Sequence, residues 1–354
     1  LTVLWLTVQI SNTNQNMTGI TEKITSIALD AMGGDHGPKV MIPAALKAIN
    51  NGEVAISLVG DQATIQIELD KYPKPPEHLI NIVPSEGIVQ EGESPALAYR
   101  TKPKASVFVS AGIVKMGKAD GFVSMGSTGA SIAAATVVYG TLDGIDRGAL
   151  GGPVVGYASN TVIIDLGTNV DTKPGLLVDF AALGNVMSKL IYENDNPRIA
   201  LLSVGSEEGK GNSLVKETTK LFNAIDLNFI GNIEPNDLPK GKAEVVICDG
   251  FVGNVILKLT EGLGDAVVNH VHEVLGDTKE SNKLSKEIFE KMNILEAFGG
   301  GPLLGVKGLA IVGHGSSGVD AVANAIGTAK YVIGTGLIEA QQAELDRIRI
   351  AVKN

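Results

Sequence analysis

The sequence predicts an α/β protein, a three-layer α/β/α fold around a largely parallel sheet. Three observations carry this. From Ile24 onward, short apolar runs alternate with amphipathic stretches. The runs are apolar throughout, as strands are when helices cover both faces of their sheet. Each run stops abruptly at Gly, Asp, Asn or Ser, the residues of strand-to-helix turns and helix caps.

Taken in order, the run at 27–29 ends in Asp30-Ala31-Met32-Gly33-Gly34-Asp35. The run at 54–59 ends in Gly60-Asp61, and the run at 79–83 in Pro84-Ser85-Glu86-Gly87. The run at 162–164 ends in Asp165-Leu166-Gly167-Thr168-Asn169. That at 199–202 opens a polar loop with Glu207, Glu208, Lys210 and Asn212. The run at 245–248 ends in Asp249-Gly250-Phe251-Val252-Gly253-Asn254, and the run at 309–312 in Gly313-His314-Gly315-Ser316-Ser317. Ligands of parallel sheets bind beyond the carboxyl ends of the strands. The polar clusters are therefore expected together at one end of the sheet, with about half of their residues serving as ordinary helix caps.

The stretch at 119–140, ADGFVSMGSTGASIAAATVVYG, is the centre of this reading. A strand at 121–125 is followed by Gly126-Ser127-Thr128-Gly129 and then by an Ala-rich helix stopping at Gly140. The first N–H groups of a helix lack intrahelical partners and, with the helix dipole, form an anion site. Gly126 and Gly129 would let a phosphate approach the backbone, and Ser127 and Thr128 would add hydroxyl donors. A plain helix cap is the equal alternative.

Composition bounds the function. The 354-residue chain is 44% hydrophobic, 4% aromatic and carries a net charge of -10, which argues against nucleic-acid binding. Cys248 lies in an apolar run, as a buried reduced thiol of a cytosolic protein would. The histidines show no metal-ligand spacing, so no metal site is expected. Residues 1–10 are apolar but too short to span a bilayer, and they lack the basic start of a signal peptide. Residues 1–23 are taken as a leader outside the fold, with Met17 an alternative start, and 24–354 as one domain.

Two stretches stand apart. Between 95 and 119 there is no acid, while Arg100, Lys102, Lys104, Lys115 and Lys118 are basic. On an acidic chain this is either a solvated face or a docking patch for an acidic partner. At 284–298 an apolar stripe of Leu284, Ile288, Met292 and Leu295 marks a helix. It packs on the core or on a second subunit, or else touches a membrane surface.

Gly313 to Gly318 fits G-x-G-x-x-G, but no second strand ending in an acid follows, which discounts a dinucleotide site. No Ser-His-Asp order, nucleophile elbow or catalytic-cysteine signature is present. That suits a reaction whose nucleophile is not a side chain. Inorganic phosphate is already an anion, and a thiol with a pKa near about 8.5 leaves with little help from an acid. Such a reaction needs positioning and charge stabilisation.

Several motifs, in this order, resemble phosphate acyltransferases of the PlsX type. They are ALDAMGGD at 28–35, ADGFVSMGSTGA at 119–130, DLGTNVD at 165–171, EEGKGN at 207–212, FIGNIE at 229–234, CDGFVGNVILK at 248–258, GGGPLLG at 299–305 and HGSS at 314–317. The resemblance implies an α/β/α fold like that of isocitrate and isopropylmalate dehydrogenases. It implies acyl transfer from acyl-acyl carrier protein to inorganic phosphate, giving acyl phosphate for phospholipid synthesis, without a cofactor. It also implies a cytoplasmic homodimer, with room for peripheral contact at the inner face of the membrane and hand-over to a membrane glycerol-3-phosphate acyltransferase. On this resemblance Lys173, Lys210, Asn254 and His314 are the catalytic candidates. Asp30, Gly33, Gly34, Asp35, Gly126, Ser127, Thr128, Gly129, Asp165, Asn169, Asn212, Asp249, Gly253 and Ser316 are the substrate-binding candidates. Asn169 and Asn212 would orient phosphate, and the aspartates would orient loops and cations. The chain departs from the family pattern at Ser127 (usually Asn), Thr168 (usually Ala) and Ala105-Ser106 (usually Asp-Ser). The rivals are a phosphotransacetylase using a coenzyme A thioester, a metal- and NAD-dependent decarboxylating dehydrogenase on the same fold, and a non-catalytic scaffold at the membrane.

Overall fold

The computed structural model describes residues 24–52 and 54–353, so the expected leader lies outside the described residues. The strands are β1 (Thr25–Asp30), β2 (Val54–Gly60), β3 (Ile80–Pro84), β4 (Gly121–Ser124), β5 (Ala149–Pro153), β6 (Val162–Ile164), β7 (Ile199–Leu202), β8 (Phe229–Ile233), β9 (Val245–Ile247), β10 (Gly301–Leu304) and β11 (Leu309–Val312). They form one 11-stranded sheet in the order β3-β2-β1-β4-β11-β10-β5-β6-β9-β7-β8.

The sheet has two parallel halves. β3, β2, β1, β4 and β11 run together, as do β6, β9, β7 and β8. Between them β10 and β5 are antiparallel to each other and to their outer neighbours. Three successive reversals set the halves in opposite senses. The polar loops therefore do not leave the sheet at one end, as the sequence suggested, but in two opposed groups.

The helices are α1 (Pro38–Asn51), α2 (Gln62–Leu69), α3 (Pro95–Thr101), α4 (Ser106–Lys115), α5 (Thr128–Ala134), α6 (Pro174–Ile191), α7 (Ser213–Phe222), α8 (Gly250–Leu275), α9 (Lys279–Met292), α10 (Ile294–Ala297), α11 (Val319–Gly334) and α12 (Leu337–Lys353). Alternate strand residues separate the layers. Ile27, Leu29, Val162 and Ile164 face one continuous core with α1, α6, α11 and α12. The opposite face carries two cores. Ala28 and Phe122 pack against α4 and α5, while Ile163, Ala200 and Val246 belong to a separate core that takes Leu257 from α8. α6 is long and apolar enough to cross a membrane, and most of it is buried in the continuous core.

Two local expectations change. The helix expected over 284–298 breaks at Asn293, and within it Ser285, Asn293 and Ile294 are buried, while Leu284 is exposed. α9 packs against α8 as a hairpin, with Gly264 of α8 set close against Met292 of α9. In the acid-free stretch, Lys102 pairs with Glu93 at 2.7 Å and Lys104 with Glu86 at 2.8 Å. Acids just outside the stretch thus offset two of its charges.

Candidate active site

β1, β4 and β11 are parallel neighbours, so the loops after them meet. Asp30 is buried at the end of β1. The Ser124 hydroxyl donates to Asp30 Oδ2 at 2.8 Å and accepts the Gly126 N–H at 3.1 Å. Burial pushes the Asp30 carboxyl up from its ordinary value. The hydroxyls of Ser106 and Ser124 and the N–H groups of Met32 and Gly33 draw it part of the way back. A β-carbon on Gly33 would stand 2.8 Å from Asp30 Oδ2 and 2.9 Å from the Gly126 nitrogen, so glycine is required by close approach. Gly34 has φ 75, and the next residue, Asp35, donates its N–H to the Gly315 carbonyl at 2.9 Å. The first and third loops are thereby tied together.

The strand and helix expected around Gly126–Gly129 are present, with α5 running on into a wider turn, Ala135–Tyr139. Two details are corrected. The Gly126 N–H is taken by Ser124 and does not open to a ligand. The Ser127 hydroxyl makes no cap bond to the helix. The groups left to an anion are the first helical N–H groups, from Thr128 to Ala130. They are joined by the side chains of half-buried Ser127 and exposed Thr128.

The second group of loops follows β6, β9 and β7. Asp165 is fully buried and organises the first of them. Its Oδ1 accepts from the N–H groups of Thr168 at 3.1 Å and Leu150 and Gly167 at 3.3 Å, and from the Thr168 hydroxyl. Its Oδ2 accepts from the Asn169 N–H at 2.6 Å and side-chain amide at 2.9 Å. The same amide donates to the Gly148 carbonyl at 2.9 Å. Asn169 was expected to orient phosphate; in the structure it is buried and fastens its own loop. Asn212 accepts the Val215 N–H and Asp249 the Val252 N–H, each at 2.9 Å, so both are helix caps. Lys173 and Lys210 are exposed at the mouths of the loops after β6 and β7. The carboxylates of Asp30 and Asp165 hold their own loops and that of Asp249 caps α8, but no ion pair joins Asp30, Asp35, Asp165 or Asp249 to a lysine or arginine among the described residues.

α8 joins the two groups. It starts against the second, where a β-carbon on Gly253 would collide with the Asp165 carbonyl oxygen and lie 3.3 Å from Cys248 Sγ. Burial and the charges of Asp249 and Asp165 push the Cys248 thiol well up, so it is no thiolate nucleophile. Asn254 lies against Gly167, whose β-carbon would stand 3.2 Å from Asn254 Oδ1. One turn on, about 6 Å along the axis, Lys258 reaches the first group. Its Nζ is 3.4 Å from His314 Nε2 and 2.7 Å from Glu261. His314 Nδ1 is 2.8 Å from Ser316 Oγ. Glu296 is beside them; burial pushes its carboxyl up, and the charges of His314 and Lys258 work the other way.

Sequence reasoning did not single out Ser124, Thr168, Lys258, Glu261 or Glu296 as site residues. Lys258 was within reach. It follows Asn254 by four residues on a helix, and such residues share a face.

A layered sheet with helices on both faces and tight polar loops at its strand ends defines a class of α/β/α proteins. The fold is shared with a phosphotransacetylase from Streptococcus pyogenes, at TM-score 0.55 and 18% identity over 91% of this chain and 94% of that one. A 4-hydroxythreonine-4-phosphate dehydrogenase from Klebsiella pneumoniae also matches, at TM-score 0.50 and 14% identity over 88% of this chain and 100% of that one. The chain belongs to the PlsX family of phosphate acyltransferases, whose family model, described as a fatty acid synthesis protein, matches residues 25–340. Phosphate acyltransferase of Desulfitobacterium hafniense strain Y51 is 40% identical over 92% of this chain and 98% of its own. That of Syntrophomonas wolfei is 41% identical over 91% and 99%.

Proposed function

We propose that the protein transfers a fatty acyl group from acyl-acyl carrier protein to inorganic phosphate, giving acyl phosphate for phospholipid synthesis. Family membership and the names of its relatives support acyl transfer to phosphate. The observation that carries the chemistry is the start of α5, set between the Asp30–Asp35 loop and His314–Ser317. Phosphate binds the open N–H groups there with Ser127 and Thr128. One of its oxygens attacks the thioester carbonyl, the C–S bond breaks, and the thiolate leaves and takes a proton from water. His314 and Ser316 stabilise the charge developing on the carbonyl oxygen, together with Asn254. Lys173 and Lys210 meet the acidic substrates at the rim. The step involves no change of oxidation state and needs no metal or organic cofactor.

The reading includes a homodimer. Val255, Leu259, Leu263 and Val267 form an exposed apolar row on α8. Such a row suits a second copy. It includes a cytoplasmic location, with peripheral contact at the membrane face that passes acyl phosphate to a membrane acyltransferase.

The test is to supply purified protein with phosphate and either acyl-acyl carrier protein or acyl-coenzyme A, trapping acyl phosphate with hydroxylamine. Trapped product from the carrier-protein thioester is expected. A clear preference for the coenzyme A thioester would move the protein to the phosphotransacetylase reading. Product only with added NAD and a divalent ion would overturn acyl transfer.

A further inference from the structure

We propose that Lys258 is a positioning residue, one that sets the hydrogen polarity of the His314–Ser316 pair and so turns the Ser316 hydroxyl hydrogen toward the reacting group. The geometry is a chain of three. Lys258 Nζ is 3.4 Å from His314 Nε2, and His314 Nδ1 is 2.8 Å from Ser316 Oγ. A lysine ammonium has donors only, so the imidazole nitrogen facing it must accept. A neutral ring with an accepting Nε2 carries its proton on Nδ1. That proton is then donated to Ser316 Oγ, which leaves the hydroxyl hydrogen of Ser316 available to a ligand.

Without Lys258 the preference reverses. Nδ1 would then be the better acceptor, because two donors of Ser316 face it. One is the hydroxyl at 2.8 Å and the other is the backbone N–H at 3.5 Å, the limit of a bond. The ring proton would move to Nε2, and the Ser316 hydroxyl would donate to the ring instead of outward. Lys258 therefore decides a balance that the loop alone would settle the other way. Glu261, three residues along the same helix, holds the ammonium in place at 2.7 Å. The chain matters here because Glu261, Asp265 and Glu296 gather acids beside His314 and Lys258. A phosphate or an oxyanion there needs a donor that carries no negative charge.

The catalytic part of the inference rests on the proposed acyl transfer; the tautomer does not. The test uses full-length protein labelled with nitrogen-15 at its five histidines, with His314 assigned by His314→Gln. Long-range proton–nitrogen spectra are recorded about two pH units above the ordinary histidine value. The wild type is expected to show the Nδ1–H form, and Lys258→Met the Nε2–H form. Lys258→Arg, which keeps a donor, is expected to restore Nδ1–H. In the acyl phosphate assay Lys258→Met should lower kcat by about 10–100-fold, with the KM of the acyl donor little changed and with partial rescue by arginine. The same tautomer in wild type and Lys258→Met would overturn the proposal. So would a switched tautomer with unaltered kcat. If wild-type protein makes no acyl phosphate, the proposed function falls, while the tautomer comparison still decides whether Lys258 sets the pair.

Discussion

Gly253→Ala should disable the site through a single added methyl group. Gly253 is in the first turn of α8, facing the Asp165 loop, and its β-carbon would run into the Asp165 carbonyl oxygen. Backbone cannot swing aside as a flexible side chain does, so α8 must retreat by about 1 Å or more to restore ordinary contact. The cost in stability should be about 1–3 kcal/mol, as for other overpacked sites. The cost in function should be larger in proportion, because Asn254 and Lys258 ride on the displaced turns. A misplacement of about 1 Å in a positioning element costs on the order of 100-fold. The assay is kcat/KM for acyl phosphate formation beside thermal melting. Gly262→Ala on the same helix is the control. It is exposed, and no atom lies within 4 Å of the added carbon. It should be neutral or stabilise by up to about 1 kcal/mol through helix propensity. A folded Gly253→Ala enzyme with wild-type kcat/KM would show that the seat of α8 on the Asp165 loop does not set the site.

Gly126→Val should reduce turnover by about 100-fold or more while leaving the core strand intact, since its β-carbon would sit 3.3 Å from Ser124 Oγ and 3.5 Å from Asp30 Oδ2; wild-type turnover in a folded variant would make this loop a plain helix cap. Because Lys102 and Lys104 already pair with Glu93 and Glu86, Arg100→Glu with Lys118→Glu should weaken carrier-protein binding several-fold more than Lys102→Glu with Lys104→Glu. The effect should shrink at high salt, and equal losses measured by titration at low salt would count against it. Glu296 has a raised carboxyl pKa, so the folded state holds its proton more tightly than the unfolded chain does. That favours the fold below the ordinary glutamate range, and the benefit is lost as pH rises through the folded value. Glu296→Gln should therefore melt about 1 °C or more higher than wild type at neutral pH, with the difference closing near about pH 4; a pH-independent difference in melting would contradict the burial assigned to it.

The layered fold was legible because strand cores such as VAISLVG and IALL are apolar throughout and end in Gly, Asp or Ser. The strands that sequence reasoning passed over are ALGGP, FIGNI and GPLL, where glycine and proline interrupt the strand pattern. Two of these, β5 and β10, are the strands that reverse the sheet. Missing them made one edge out of two. The loop after β4 was legible, since glycine, serine and threonine before an Ala-rich run is a local signal. The part played by Asp165 was only half legible. Its loop-holding role was expected, but its bond to Leu150 comes from a strand whose pairing was not foreseen. Thr168, noted as a departure from the family pattern, bonds both the Asp165 carboxylate and the Leu150 N–H, so the change adds to the same network. The Lys258–His314 contact spans 56 residues of sequence and depends on the path of α8, which no local pattern fixes.

That path brings the opposed loops into contact with one helix. On the site face the helical layer splits into two cores, one under α4 and α5 and one that includes Leu257 of α8. α8 begins on the loop after β6, where Gly250 donates its N–H to the Asn169 carbonyl, and reaches the loop after β11 through Lys258. Asn254 and Lys258 share one side of it, four residues apart. Val255 and Leu259 follow each of them by one residue, a rotation of about 100°, and both are exposed. The polar row that meets Gly167 and His314 and the apolar row left open on the surface therefore belong to the same turns. A surface that covered Val255 and Leu259 would therefore lie against the turns that carry Asn254 and Lys258.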